Sequence, residues 1–514
     1  MAGEFVADTS TGKIEGARSD GMVSFKGIPY AAPPVGSLRF KPPVPLAPWS
    51  GVRVTARFGA RAMQSDDAIA LAPAIRAVFA APPREPVSED CLFINVWTPA
   101  LDDGGNRPVM VWLHGGAFIA GSGASDLYDG TSLARKGDVV VVTLNHRLGA
   151  FGYLHLAELG GGEYAPSGNV GMLDIVAALE WVRDNATAFG GDPDNVTIFG
   201  ESGGGAKACI LMAMPAAQGL FHKAIVQSGP SVETMSAAAA TDTARQVMEE
   251  LGVVSVPDLV AAPAETLLAA QNRVLARISA LSFANRRRQG LNPVIDGATL
   301  PGGPFAPTAP AISADVPMMI GTNKDEMNLF FGMAPWAEGL TEDRLADAAR
   351  PFLGDRTATI VAAYRAAEPQ ASPRDIVLRI ATDQAMRMPS LTIADRKAAL
   401  RAAPAYVYLF TWETMVAGGK LGSCHALEIP FVFDNLDKTP FTGDAPSRGI
   451  LAEAMSRAWI EFAWKDNPNH GGIPYWPAYN ATERPTMIFD LQCRVENDPL
   501  GAERRAWDGG TEAV

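Results

Sequence analysis

Val196 to Ala206 reads VTIFGESGGGA, and the fold of the chain turns on this stretch. Val196–Phe199 is a short apolar, β-prone run. Residues 200–204 then carry the G-x-S-x-G spacing around Ser202, and the small residues Gly203 to Ala206 lead into an apolar helical stretch. Strand, sharp turn and helix form the context in which this spacing exposes a serine hydroxyl at a sheet edge. A turn that tight excludes bulky neighbours, and glycine removes the clash. A glycine-rich turn that merely packs a helix on a strand would look the same over this window, so the rest of the chain has to decide.

Working outward, Val109–Leu113, Val139–Leu144, Ala224–Val226, Val316–Ile320 and Ala405–Phe410 are apolar runs of the same kind. Runs that are apolar on both faces are what buried parallel strands need. Between them lie helical patterns. Asn169 to Asn185 places Met172, Ile175, Val176, Leu179 and Val182 on one stripe, and Gly190-Gly191-Asp192-Pro193 is expected to stop that helix. This alternation predicts an α/β fold with a large, mostly parallel sheet and helices on both faces. No repeat of 20–50 residues interrupts it. The Pro- and Gly-rich stretches in the first 50 residues and around 293–310 contain aromatic and aliphatic residues, and read as ordered loops. Residues 335–400 are helix-rich without strand signals and are expected to form a helical cap region. No boundary between independent domains is evident over 1–514.

Composition removes several classes. The chain has 514 residues, 47% hydrophobic and 19% charged, which excludes a disordered chain. Its net charge of −13 argues against nucleic acid and against an anionic membrane surface. The one dense basic run, Arg286-Arg287-Arg288, reads as a solvated helix end or loop. No apolar run is long enough to span a bilayer. The four cysteines, Cys91, Cys209, Cys424 and Cys493, form no C-x-x-C pair, so zinc and thioredoxin-like readings fail and no metal is expected. Met1 to Gly16 has neither a basic start nor an apolar h-region, and the expected location is the cytoplasm.

Serine is a weak nucleophile at neutral pH and needs a base. The chain holds six histidines. In this arrangement the order is serine, acid, histidine, so His114, His146 and His155 come too early, and of the other three only His425 and His470, not His222, follow plausible acids. Of the later ones, His470 sits in a turn-like Asn-Pro-Asn-His-Gly-Gly. His425 follows the strand-like run Ala405–Phe410, where catalytic groups gather in open sheets. The acid is expected after Val316–Ile320, and position leaves both Asp325 and Glu326 open. Its work is to hold the imidazole tautomer and stabilise the cation. His114-Gly115-Gly116-Ala117, after Val109–Leu113, resembles the HGGG-type loop of lipases and esterases. The amides of Gly116, Ala117 and Gly203 are the expected oxyanion donors, and His114 reads as a structural histidine fixing that loop.

Taken together these residues resemble the type-B carboxylesterase family, which includes bacterial p-nitrobenzyl esterases and the cholinesterases. The resemblance covers nearly the whole chain. Phe25-Lys26-Gly27-Ile28-Pro29-Tyr30-Ala31, Glu89-Asp90-Cys91-Leu92-Phe93-Ile94-Asn95-Val96-Trp97, Asn145-His146-Arg147-Leu148-Gly149, Phe189 through Gly204, Gln227-Ser228-Gly229 and His425-Ala426-Leu427-Glu428-Ile429-Pro430-Phe431 carry it. It implies an α/β-hydrolase fold without cofactor. It also implies Glu326 as the acid, with Asp325 a structural neighbour, and places Gly115, Glu201 and Ser228 around the triad. This chain departs from the pattern in four places. Met327 stands where glycine usually follows the acid. Gly203 replaces the commoner alanine after the nucleophile, which should loosen the turn. Ala62 stands where secreted relatives have the disulfide partner of Cys91. Met386 replaces an aromatic residue near the acyl pocket, implying a wider or more pliable pocket.

The expected chemistry is acyl transfer from a small or medium, mostly apolar ester to Ser202 and then to water. Phe118, Phe330, Phe331 and Met386 are candidate pocket walls, with plain core packing the competing reading for each. A carbamate, amide, lipid or toxin ester is the rival substrate class. Some relatives of the family have lost the triad and act as adhesion or binding proteins; Ser202, Glu326 and His425 together argue against that role here.

Overall fold

The computed structural model describes residues 5–69, 71, 76, 85–279 and 289–508, and the Arg286–Arg288 run lies outside them. The apolar runs become strands of one large sheet. In chain order these are β1 (Ala17–Ser19), β2 (Met22–Pro29), β3 (Phe93–Thr98), β4 (Arg107–Leu113), β5 (Val140–Leu144), β6 (Gly191–Glu201), β7 (Lys223–Gln227), β8 (Met318–Asn323), β9 (Ala405–Phe410), β10 (Pro485–Phe489) and β11 (Arg494–Asn497). Across the sheet the order is β11-β10-β9-β8-β7-β6-β4-β5-β3-β2-β1. From β10 to β5 all neighbours are parallel. Antiparallel strands extend both edges. The expected run from Val316 starts two residues late, because Pro317 has no N–H for the ladder.

Side chains alternate along each strand and divide the core in two. Val109, Val111, Ile198, Val226 and Ile320 join the cluster that also holds Met172, Ile175, Leu179 and Val182 of helix α1 (Val170–Asn185). Met110, Trp112, Phe199, Ile225 and Met319 face the other cluster, with Leu451, Met455, Trp459 and Phe462 of the helix spanning Arg448–Lys465. Helices therefore cover both faces, as an α/β-hydrolase fold requires. Helix α1 ends at Asn185, before the predicted glycine stop. A 3-10 turn, Ala186–Phe189, follows, and Gly191 already begins β6.

Helix α2 (Gly203–Leu211) follows β6 directly. Residues 335–400 contain α3 (Leu345–Leu353), α4 (Thr357–Ala367), α5 (Pro373–Thr382) and α6 (Met388–Ala399). The first three enclose a separate apolar cluster around Leu345, Ile360, Tyr364 and Ile376, whereas Ile393 and Ala394 of α6 join the sheet core. No helix among the described residues is long and apolar enough to cross a membrane.

One buried ion pair ties α1 to the loop after β5. Arg147 Nε and Nη2 donate to Asp174 Oδ2 and Oδ1 at 2.8 and 2.6 Å, the Arg147 N–H donates to Oδ2 at 3.0 Å, and Nη1 reaches Lys41 O. Both side chains are buried. Removing one partner leaves an uncompensated charge, a loss of about 3–5 kcal/mol. Asp174→Ala is expected to lower the unfolding free energy by that amount, read as a lower urea midpoint at unchanged slope by circular dichroism against wild type.

Candidate active site

Ser202 sits between β6 and α2 with φ 56° and ψ −122°, a conformation disfavoured for a side-chain-bearing residue. Such strain costs about 1–3 kcal/mol and persists only where surroundings enforce it. They do so here. The Ser202 N–H donates to Gln227 O at 2.9 Å, and Ser202 O accepts the Ala206 N–H at 3.1 Å. A Cβ on Gly204 would lie 1.9 Å from Leu113 O, so glycine alone lets the turn approach β4 this closely.

His425 lies in the loop after β9, and Glu326 in the turn after β8. His425 Nδ1 donates to Glu326 Oε2 at 2.6 Å, and Glu326 Oε1 accepts the Asn323 N–H at 2.8 Å. Of the two acids left open by position, Glu326 therefore meets the imidazole. Asp325 turns to the histidine loop instead, where its Oδ2 accepts the Ser423 N–H at 3.0 Å. Met327 takes ordinary helical φ and ψ and packs on Leu378 and Ala381, so the missing glycine leaves the turn regular.

Glu201, adjacent to Ser202, brings the turn to the histidine. Its Oε1 lies 3.1 Å from His425 Nε2 without hydrogen-bond alignment, and neither atom has a hydrogen-bond partner among the described residues. Burial pulls the imidazole down, but the carboxylates of Glu201 and Glu326 outweigh it and carry His425 up to about 9. Burial also pushes the Glu201 carboxyl well above its usual range, with His425 opposing. The two compete for one proton. Two carboxylates facing one imidazole, one of them at 2.6 Å, favour its residence on His425.

The loop expected to receive the oxyanion follows β4. Gly115 O is bonded by His114 Nδ1 at 2.8 Å, and Gly116 O accepts the N–H groups of Ile119 and Ala120. A trans peptide sends its N–H opposite its carbonyl. The amides of Gly116 and Ala117 therefore point away from these bonds. Among the described residues they and the Gly203 amide donate to no protein atom. Burial, helped by the charge of Lys207, pushes His114 down to about 3, so it stays neutral and serves the loop. A Cβ on Gly203 would stand 2.3 Å from Ala117 O and 2.6 Å from its Cα. Gly203 thus draws the loop against the turn, where looseness was expected.

Gly115 lies between Glu201 and Ser202: a Cβ there would be 3.0 Å from Glu201 Oε2 and 3.4 Å from Ser202 Cβ. The buried Ser228 Oγ has no hydrogen-bond partner among the described residues, and the Ser228 N–H donates to Gly321 O. Phe330 lies tilted at 46° to the His425 ring with 5.3 Å between ring centres, and gathers with Phe331 and Met386 around Met327, Leu378 and Ala381. Phe118 stands apart, edge-on to Tyr153 in the main core. His470 bonds Ala454 O far along the chain from these groups. A solvent-open cleft of about 450 Å³ lined by Lys324, Glu413, Asp490 and Arg494 contains none of the triad residues.

Sequence reasoning assigned no task to two buried groups. Glu428 accepts from Gln227 Nε2 and Asn323 Nδ2 at 3.1 and 2.7 Å, and Trp459 Nε1 donates to Gln227 Oε1. Burial, reinforced by Glu326, raises its carboxyl. This network underlies the histidine loop, and a glutamate inside an otherwise apolar Leu-Glu-Ile-Pro-Phe run was its available signal. Lys207, a lone cation in an apolar helix, is the other.

A mostly parallel sheet with a serine at a strained strand–helix turn, joined through the adjacent Glu201 to a buried histidine–glutamate pair, defines a serine hydrolase of the α/β-hydrolase fold. The chain belongs to the carboxylesterase family, whose model matches residues 4–507. It is 39% identical to the para-nitrobenzyl esterase of Bacillus subtilis, over 97% of this chain and 98% of that one. It is 33% identical to the phenmedipham hydrolase of Pseudarthrobacter oxydans, over 94% of each. The crystal structure of a Geobacillus stearothermophilus carboxylesterase superposes with a TM-score of 0.85 at 40% identity, covering 98% of this chain and all of that one. The chain is accordingly a serine esterase.

Two measurements probe this geometry. A base must be neutral, so kcat/KM should fall as pH drops through about 9, where His425 gains its proton. Glu201→Gln removes one facing charge, and the acid limb should then move to lower pH by about one unit or more; an unmoved limb contradicts the assignment. Gly203→Ala should force Ala117 away from the turn, lowering kcat by roughly 10-fold or more with KM little changed, as loss of oxyanion contact does. Steady-state kinetics on a p-nitrophenyl ester reads this directly.

Proposed function

We propose that this esterase cleaves small to medium, mostly apolar carboxylic esters through a covalent ester on Ser202, with water as second substrate. The observation that carries the reading is the buried His425–Glu326 pair at 2.6 Å, set against the strained turn that presents Ser202. Ser202 Oγ attacks the ester carbonyl while His425 Nε2 accepts its proton. Glu326 keeps Nδ1 protonated and steadies the imidazolium. The amides of Gly116, Ala117 and Gly203 receive the oxyanion. On collapse the C–O bond to the alcohol breaks, and His425 protonates the departing oxygen. Water then attacks the acyl carbonyl, giving its proton to His425, and the acid leaves as Ser202 recovers its hydrogen.

The apolar group of Phe330, Phe331 and Met386 beside His425 supports an apolar acyl or alcohol portion. The para-nitrobenzyl esterase relative, by its name, supports an aromatic one. Cys91, Cys209, Cys424 and Cys493 are unbridged thiols, which supports residence in a reducing compartment such as the cytoplasm.

The test is hydrolysis of p-nitrophenyl acetate, butyrate and octanoate by wild type and Ser202→Ala, with the first turnover monitored for a release burst. Wild type should turn over all three to different extents, ranking the chain lengths. Ser202→Ala should lose roughly 10,000-fold or more in kcat at unchanged unfolding midpoint. Retained turnover in that variant would refute the acyl-enzyme route.

A further inference from the structure

Lys207 is a buried cation that the reaction as written does not use. It lies on α2 five residues after Ser202, among small and apolar side chains, and is fully buried. Its Nζ donates to His114 O and Ala117 O, both at 2.9 Å, and stands 5.3 Å from the centre of the Phe118 ring. Burial lowers Lys207 to about 7, with Glu201 opposing. The imidazoles of His114 and His146 also face it, and both are held far below their usual range, chiefly by burial. As ammonium or as amine, Lys207 keeps at least two N–H donors, one for each carbonyl.

Those two carbonyls are the ends of the oxyanion loop. Between them, Gly115 O is taken by His114 Nδ1, and Gly116 O by the amides of Ile119 and Ala120. With Lys207, every carbonyl from His114 to Ala117 is engaged. Ala117 has φ 52°, the left-handed region that an alanine avoids without outside restraint. Its backbone also makes the close approach to Gly203. The Lys207 bond to Ala117 O is the restraint that comes from the nucleophile's own helix.

We propose that Lys207 is a positioning residue for ester hydrolysis: it clamps both ends of the oxyanion loop to α2, so that the Gly116 and Ala117 amides stay aimed at the oxyanion forming beside Ser202. This rests on the reading of Ser202 and the loop given above. Loss of the clamp should weaken the tetrahedral state far more than the bound ester, since the loop amides matter most when charge develops.

The test is Lys207→Met, an unbranched side chain without donors, with active sites counted by an organophosphonate so that kcat refers to competent enzyme. We expect kcat on p-nitrophenyl butyrate to fall roughly 10- to 1,000-fold with KM within about threefold. The Ki of a trifluoromethyl ketone, which forms a tetrahedral adduct, should rise in proportion, while that of the corresponding unreactive alcohol stays put. If Lys207→Met does not fold, Lys207→Gln, one bond too short to span both carbonyls, is measured in the same way and should show the same pattern to a smaller extent. A folded variant with kcat and ketone Ki within twofold of wild type, or with a change in KM alone, overturns the proposal. Ser202→Ala run alongside separates the two levels: if it stays active, the Ser202 reading itself has failed, whatever Lys207 does.

Discussion

The backbone contact between the Ser202 turn and the loop after β4 is the constraint on which the rest of the site depends. Gly204 approaches Leu113 O, and Gly203 approaches Ala117, at distances that leave no space for a Cβ. The contact is possible because β4 and β6 are hydrogen-bonded neighbours in parallel register, Leu113 opposite Gly200. Parallel neighbours deliver their C-terminal loops to the same edge of the sheet. Ser202 and the amides of Gly116 and Ala117 thus come together through strand pairing, and the strain at Ser202 is held by the packing of two strands and one helix.

The second feature is the concentration of buried carboxyl groups around one imidazole. Glu201, Glu326 and Glu428 are all buried in this region, each placed by a different element: the end of β6, the turn after β8 and the histidine loop. Glu326 satisfies its oxygens with an imidazole N–H and a backbone N–H, and Glu428 with two side-chain amides. Glu201 keeps one oxygen beside His425 Nε2 without a hydrogen bond among the described residues. In a low-dielectric interior such differences in partnering decide which group holds a proton. Lys207, for its part, donates from Nζ to two of the loop carbonyls. The serine therefore lies between a proton-rich histidine side and a donor-rich oxyanion side.

Much of this was legible locally. The alternating apolar runs are strands because buried parallel strands need apolar side chains on both faces, and the G-x-S-x-G spacing identifies its turn because few residues tolerate that backbone. His425 followed from chain order and from its place after β9. Other points were not legible. The choice between Asp325 and Glu326 depends on which side chain points along the sheet edge toward His425 and which turns to Ser423. Gly203 read as a loosening substitution because sequence carries no information about the loop lying against it. The α-helical end at Asn185 was not legible because a 3-10 turn carries the chain on to Phe189, where Gly190 caps it in the left-handed region before Gly191 opens β6.

The sequence by itself determined the class of fold, and its patterns single out Ser202, His425 and the loop from His114 to Ala117 for the roles proposed above. Each is a short-range pattern whose chemistry demands particular residue types: glycine at tight turns, serine and histidine for acyl transfer, apolar runs for buried strands. The tertiary structure decided which acid meets the imidazole, how tightly the oxyanion loop is pressed on the nucleophile, and that Lys207 and Glu428 are buried against the site. These depend on distances between residues far apart in the chain, which are set when the sheet brings the ends of β4, β6, β8 and β9 to one edge. A local pattern cannot encode a distance between segments that only the sheet makes neighbours.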